Sequence, residues 1–207
     1  MDGVFMRKMI KRIFVCLLLM ALVWTLTLLS DRSKLNKELI RLHIVANSDS
    51  KEDQDIKLQV RDAVISSIQE DLAGVSDMDT AKAYLHENLT KIQEITRRTL
   101  KQAGVDSSCV VTLCREVFDT RHYDTFSLPA GVYESLRIII GEGAGKNWWC
   151  VSFPALCVPG SKSGFQDAAV CAGFSETLSQ TLSGEDYELR FFFLDVLGKV
   201  ENILFEG

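Results

Sequence analysis

The sequence predicts an α+β fold in a single domain: a strand, two helices, antiparallel strands and a C-terminal helix, preceded by an N-terminal hydrophobic segment. Three observations carry this expectation. An uncharged apolar run lies near the N-terminus, helical spacing dominates residues 50–104, and a β-rich texture broken by Gly and Pro turns follows from Ser108 to Phe153. At 207 residues, with 47% hydrophobic and 25% charged residues, the chain can bury one ordinary core.

The apolar run is Ile13 to Leu29, "IFVCLLLMALVWTLTLL", and it follows Arg7, Lys8, Lys11 and Arg12. A basic flank before an uncharged stretch marks a targeting segment, with the rest of the chain exported. The run is short for a bilayer span, and no small-x-small site follows it before "SDRSKLNKE", which favours an uncleaved anchor. The expected division is a signal or anchor segment over residues 1–30, serving only export, and an extracytoplasmic domain over residues 31–207.

Within that domain, Leu39 to Ala46 alternates, with Ile40, Leu42, Ile44 and Ala46 on one side and Arg41, His43 and Val45 on the other, as in a half-buried strand. Ser50 and Asp53 then form a short capping box before the helical stripe Ile56, Val60, Ala63, Val64 and Ile68. Asn47, Asp49, Asp53 and Asp55 crowd together here. Negative charge at a helix N-terminus accounts for them, and the glycine and distal glutamate of a calcium loop are missing. Ser76 and Asp79 repeat the capping pattern before a second stripe, Leu85, Leu89, Ile92, Thr96, Leu100 and Ala103, which Gly104 closes.

Three strands are then expected in "CVVTLCREVF", "HYDTFSLPAGVYESLRIII" and "NWWCVSF". In the last, alternation puts Trp149, Val151 and Phe153 on one face and Trp148, Cys150 and Ser152 on the other. Residues 158–184 read as a loop-rich stretch with one short helix. The chain ends in a helix introduced by Ser183 and Asp186, with the stripe Leu189, Phe193, Val196, Val200 and Ile203 laid on the sheet.

Charge and motifs exclude several function classes. Beyond residue 30 the chain carries 19 Lys and Arg against 27 Asp and Glu, a formal charge of −8, without the clustered cations that phosphate contact needs. No nucleic acid is expected as a partner, and no small-molecule substrate. "GEGAGKN" has the wrong spacing for a phosphate loop and precedes a strand. There is no G-x-S-x-G elbow, and His43, His86 and His122 are scattered. The cysteines form no CxxC pair, so neither a metal nor a cofactor is expected. Cys150 and Cys157 bracket the turn at Pro154, and a disulfide between them is expected outside the cytoplasm.

"LIRLHIVANSDSKEDQDIKLQVRDAV" together with "LPAGVYESLRIIIGEGAGKNWWCVSFPALC" resembles the stage II sporulation protein R family of endospore-forming bacteria. The order of the two blocks and the N-terminal apolar segment fit as well. The family's second block ends in Phe-Pro-Pro-Leu-Cys, and Ala155 stands at the second proline here. The resemblance implies a non-catalytic signal, made in the forespore and exported to the space between the septal membranes. There it would trigger a membrane aspartic protease of the mother cell, the stage II GA protein, to process the sigma-E precursor. An exported hydrolase using Cys150 with a histidine, and a septum- or wall-binding module, are the alternatives.

For contact with the protease, Arg41, His43, Asn47, Ser48, Asp49 and Trp148 are the candidates, provided the first and last strands lie side by side. The competing expectation is that Asn47, Ser48 and Asp49 only cap the helix and Trp148 belongs to the core.

Overall fold

A computed structural model describes residues 3–72, 74–75, 77–154, 162–171, 173–184 and 189–206. The chain opens with one long helix, α1 (Gly3–Glu38), apolar and long enough to cross a membrane. Strand β1 (Ile40–Val45) follows, then α2 (Lys51–Asp71), α3 (Met78–Glu87) and α4 (Leu89–Gln102). The β-rich part holds β2 (Cys109–Phe118), β3 (Arg121–His122), β4 (Ser127–Leu128), β5 (Gly131–Ile140) and β6 (Asn147–Phe153). Helices α5 (Lys162–Cys171), α6 (Glu176–Ser183) and α7 (Leu189–Glu206) complete it. The fold is mixed helix and sheet in one domain, as the sequence predicts.

Local chemistry explains where the helices start and stop. Ser50 caps α2 by accepting from the Asp53 amide at 3.1 Å, the bond the capping box anticipates. The single second helix is instead a pair. Asn88 folds its side chain back to donate to the Tyr84 carbonyl at 2.9 Å, and the helix breaks there. Asp77, accepting from Thr80, is the cap of α3, and Ser76 lies outside the described residues. After α4 the Val105 amide reaches the Leu100 carbonyl across Gly104, closing a Schellman-type end.

The four-stranded sheet has the order β2-β5-β1-β6. β2 pairs antiparallel with β5, and β1 pairs antiparallel with β6 and parallel with β5; β2, β5 and β6 thus alternate in direction as expected, and β1 inserted between β5 and β6 makes the sheet mixed. α2, α3 and α4 cover one face, where Ile40, Leu42 and Ile44 join Val60, Leu85, Ile92, Leu136 and Ile138 in a core. On the other face Leu28 and Leu35 of α1, with Leu39 just after it, pack with Tyr133, Val151, Phe165, Leu178, Phe191 and Leu194 in a second core. A bulge lets Ile40 face Phe153 while Arg41 faces Val151, which turns Phe153 to the opposite side from the one alternation predicts.

Two further expectations change. Residues 158–184 contain two helices, α5 and α6, in their described part rather than one. α7 also presents a different face to the sheet. Its buried residues are Phe191, Leu194, Asp195, Gly198 and Asn202, whereas Leu189, Val196, Val200 and Ile203 of the predicted stripe point outward. Asp186 lies outside the described residues.

The reason is the turn "LPAG" before β5. Asp195 accepts from the Ala130 amide at 2.9 Å and from the Thr120 hydroxyl, and it pairs with Lys199. Gly198 lies so close that a Cβ there would sit 1.7 Å from the Ala130 carbonyl oxygen. Asn202 donates to the Phe118 carbonyl at 3.0 Å. Polar clips and a missing side chain therefore choose the seated face. α1 joins the same junction: Arg32 donates to Glu201 of α7 at 2.5 Å and to the Tyr133 hydroxyl at 3.2 Å, and Arg190 pairs with Asp31. The helix passes through residue 30 without a break, and Leu28 is buried against the domain.

Replacing Asp195 by Ala leaves the buried Ala130 amide and Thr120 hydroxyl without their acceptor. The expected loss is about 1–3 kcal/mol, read as a lower urea midpoint with an unchanged slope.

Candidate partner-contact site

The six candidate residues divide between the two faces and one end of the sheet. Arg41 and His43 lie on the face covered by α1 and α5–α7, and Arg41 is 0% exposed. Its guanidinium stacks 4.0 Å from the Phe118 ring and 5.2 Å from Tyr133, and Nη2 donates to the Tyr123 hydroxyl at 2.7 Å. Cation–π packing replaces the carboxylate that a buried arginine ordinarily requires. The His43 ring stacks on Trp149 with centroids 3.7 Å apart. Its Nδ1 lies 3.2 Å from Glu116 Oε1; a carboxylate can only accept, so Nδ1 donates. Burial pushes the Glu116 carboxyl up, but the bond from His43 and the nearby Arg137 outweigh it and hold the group below the ordinary range. Both residues are sealed from any partner, and the expectation that they share a surface patch with Trp148 is corrected. The side chains that bury them come from β2, β5 and β6, remote in sequence.

The other four candidates do come together. β6 runs beside β1 with Trp148 opposite Ile44 and Asn147 opposite Val45, so the loop after β1 meets the loop before β6. The two loops are knotted by backbone and side chain alike. The Ala144 amide donates to the Asn47 carbonyl at 3.1 Å and the Gly145 amide to that of Ala46 at 2.9 Å. Asn47 Oδ1 accepts from the Glu142 amide at 3.1 Å, and Asp49 Oδ1 accepts from the Lys146 amide at 2.7 Å. A Cβ on Gly145 would lie 2.2 Å from the Ser48 carbonyl oxygen, so the glycine that imitates a phosphate loop is there for close approach. Beneath the knot, Lys57 of α2 donates to the Lys146 carbonyl at 2.9 Å. Sequence reasoning missed Lys57, whose place in the α2 stripe between Ile56 and Val60 was its only signal.

Asp53 ties this knot to the helix. Its Oδ2 accepts from Ser48 Oγ at 2.5 Å and from Asn47 Nδ2 at 3.0 Å. Trp148 is half-buried against the first core, with the Arg61 guanidinium 5.1 Å from the ring centre. Asp49, Glu142, Ala144 and Lys146 are exposed on the two loops, and Asn147 at the start of β6. The two braced loops thus carry exposed charged and polar groups at the end of the sheet where Trp148 lies. The loop residues therefore brace the start of α2 and the two loops, as the capping expectation has it.

Cys150 is disulfide-bonded and buried on the α2–α4 side. Its expected partner, Cys157, lies outside the described residues. His43 sits on the opposite face of the sheet, against Trp149. His122 bonds Ser127 at 2.8 Å at the surface. Among the described residues, no group of three or more His, Cys, Asp or Glu side chains could hold a metal.

The fold and site define a sheet domain carried at one end of a long apolar helix, with a braced loop pair as its exposed feature. Residues 36–163, from the end of α1 through the sheet, match the family described as stage II sporulation protein R. The stage II sporulation protein R of Bacillus subtilis (strain 168) is 38% identical over 120 residues, covering 58% of this chain and 54% of that protein. The match therefore spans about half the length of that relative. No solved structure matches the chain. The chain belongs to the stage II sporulation protein R family.

Hydrogen bonds from Ser48, then Asn47, hold the Asp53 carboxyl below the ordinary carboxylate range. A group with a depressed folded pKa stabilises fully above its unfolded value, about 3.9, and loses that contribution as pH falls from there through the folded value. Asp53→Asn should lower the melting temperature at neutral pH and narrow its gap from the parent below about pH 4. A gap of constant width across that range would contradict the assignment.

Proposed function

We propose that this protein is an exported, non-catalytic signal of endospore formation. It crosses the forespore membrane behind residues 1–30, works between the septal membranes, and triggers the stage II GA aspartic protease of the mother-cell membrane to process the sigma-E precursor. The observation that carries this reading is that the family match covers the sheet and both knotted loops, whose side chains brace a surface. α1 supports an export signal or anchor by its length and composition. On this reading the protease is met by the rim of Asp49, Glu142, Lys146 and Trp148, and Asn47, Ser48 and Asp53 hold that rim in place. The Cys150 disulfide is in keeping with an extracytoplasmic setting, and Cys157 is its proposed partner.

Co-expressing the full chain with the protease and the sigma-E precursor, in cells lacking all other sporulation proteins, tests the function. Processing should require all three. Processing without this chain, or none with it, would contradict the proposal. Reversing the exposed charges in Glu142→Arg and Lys146→Glu should leave melting unchanged and lower processing about tenfold, roughly 1.4 kcal/mol of lost complementarity. Undiminished processing by both variants would move the contact surface elsewhere.

A further inference from the structure

Apart from Val110 and Val170, every exposed large apolar side chain among the described residues lies on α1 or α7. On α7 these form a coherent stripe at three- and four-residue spacing, Leu189, Phe192, Val196, Val200 and Ile203, opposite the face seated on the sheet. Leu189 and Ile203 are 65% and 71% exposed. A terminal helix apolar on both sides has a second surface to cover.

The position of α1 indicates what covers it. Phe192 meets Phe193 edge to face at 5.6 Å, and Phe193 meets Trp24 of α1 at 4.9 Å. The outward face of α7 is thus joined through aromatic rings to the exposed apolar flank of α1. Trp24 lies five residues before the end of the apolar run at Leu29, about 7.5 Å along a helix axis. If α1 spans a bilayer with this run, a ring seated on Trp24 stands about 7.5 Å inside the outer edge of the hydrocarbon, a depth that the apolar face of an interfacial helix reaches. The ion pairs Asp31–Arg190 and Arg32–Glu201 lie farther along α1 toward the sheet, on the water side.

We propose that α7 is an interfacial helix, its outward stripe resting in the headgroup layer of the same bilayer that α1 crosses. The inference rests on α1 being retained as an anchor. The lipid surface holds the domain at a fixed height and tilt through two helices, one spanning and one lying in the interface, and sets which side of the sheet faces away from the membrane.

The test uses the full chain, with Cys16, Cys114 and Cys171 replaced by Ser, in phosphatidylcholine/phosphatidylglycerol vesicles. Single nitroxide labels are placed by Met20→Cys in α1, Val200→Cys in α7 and Gln59→Cys on the exposed side of α2. The labels at 20 and 200 should be relaxed more by dissolved oxygen than by a water-soluble nickel chelate, and the label at 59 the reverse. A lipid-like signal at 20 with a water-like signal at 200 would overturn the proposal and leave the anchor intact. Water-like signals at both would overturn the anchor reading with it. Concentration-dependent spin–spin broadening at 200 would assign the stripe to a second copy of the chain, against the proposal.

Discussion

The structure depends on a strand with no exposed residue. All six positions of β1 are buried, because it lies between β5 and β6 and both faces of the sheet are covered. A central strand of this kind cannot leave one face to water, so every other element is arranged to cover it. α2–α4 do so on one side. On the other, the cover includes the last turns of α1, which places a piece of the N-terminal segment within the core of the domain.

Burying both faces has a cost where the sequence keeps polar residues, and the structure answers it twice. Arg41 is accommodated by aromatic rings and a tyrosine hydroxyl, and His43 by Glu116 and the Trp149 ring. Truncating one partner in such a network leaves a desolvated group behind, so these residues hold the sheet and its covering layer in a single arrangement. That rigidity reaches the end of β1, where the loops on either side of Trp148 are fixed to each other and to α2. A surface held this way meets a partner with little ordering left to do.

Much of the fold was legible in the sequence because its signals are local. The Ser50 cap, the stripe of α2 and the limits of β2 and β6 follow from neighbours a few residues apart. What was not legible depends on distant partners. The alternation of β1 marks Arg41 and His43 as an outer face, and only Phe118, Tyr133 and Trp149, brought in by other strands, turn that face inward. Parallel pairing of β1 with β5 leaves no mark on either strand. In α7, apolar residues occur around most of the helix, so periodicity could not choose a face. The choice was made by Asp195, Gly198 and Asn202, which fit the turn before β5 and the end of β2. At the site, the polar cluster after β1 carries the local signal of a helix start, and its bonds to residues 142–146 follow only from the sheet order.

The central claim is that the end of α1 and the buried strand form one cooperative unit. Native-state hydrogen exchange on the full chain measures this directly, through the opening free energies of amides in residues 32–38 and in β1. The account predicts that both sets exchange only through the same global opening and shift together when denaturant is added. Exchange of the α1 amides through a separate opening, with β1 still protected, would show that the helix is appended to the domain rather than built into it.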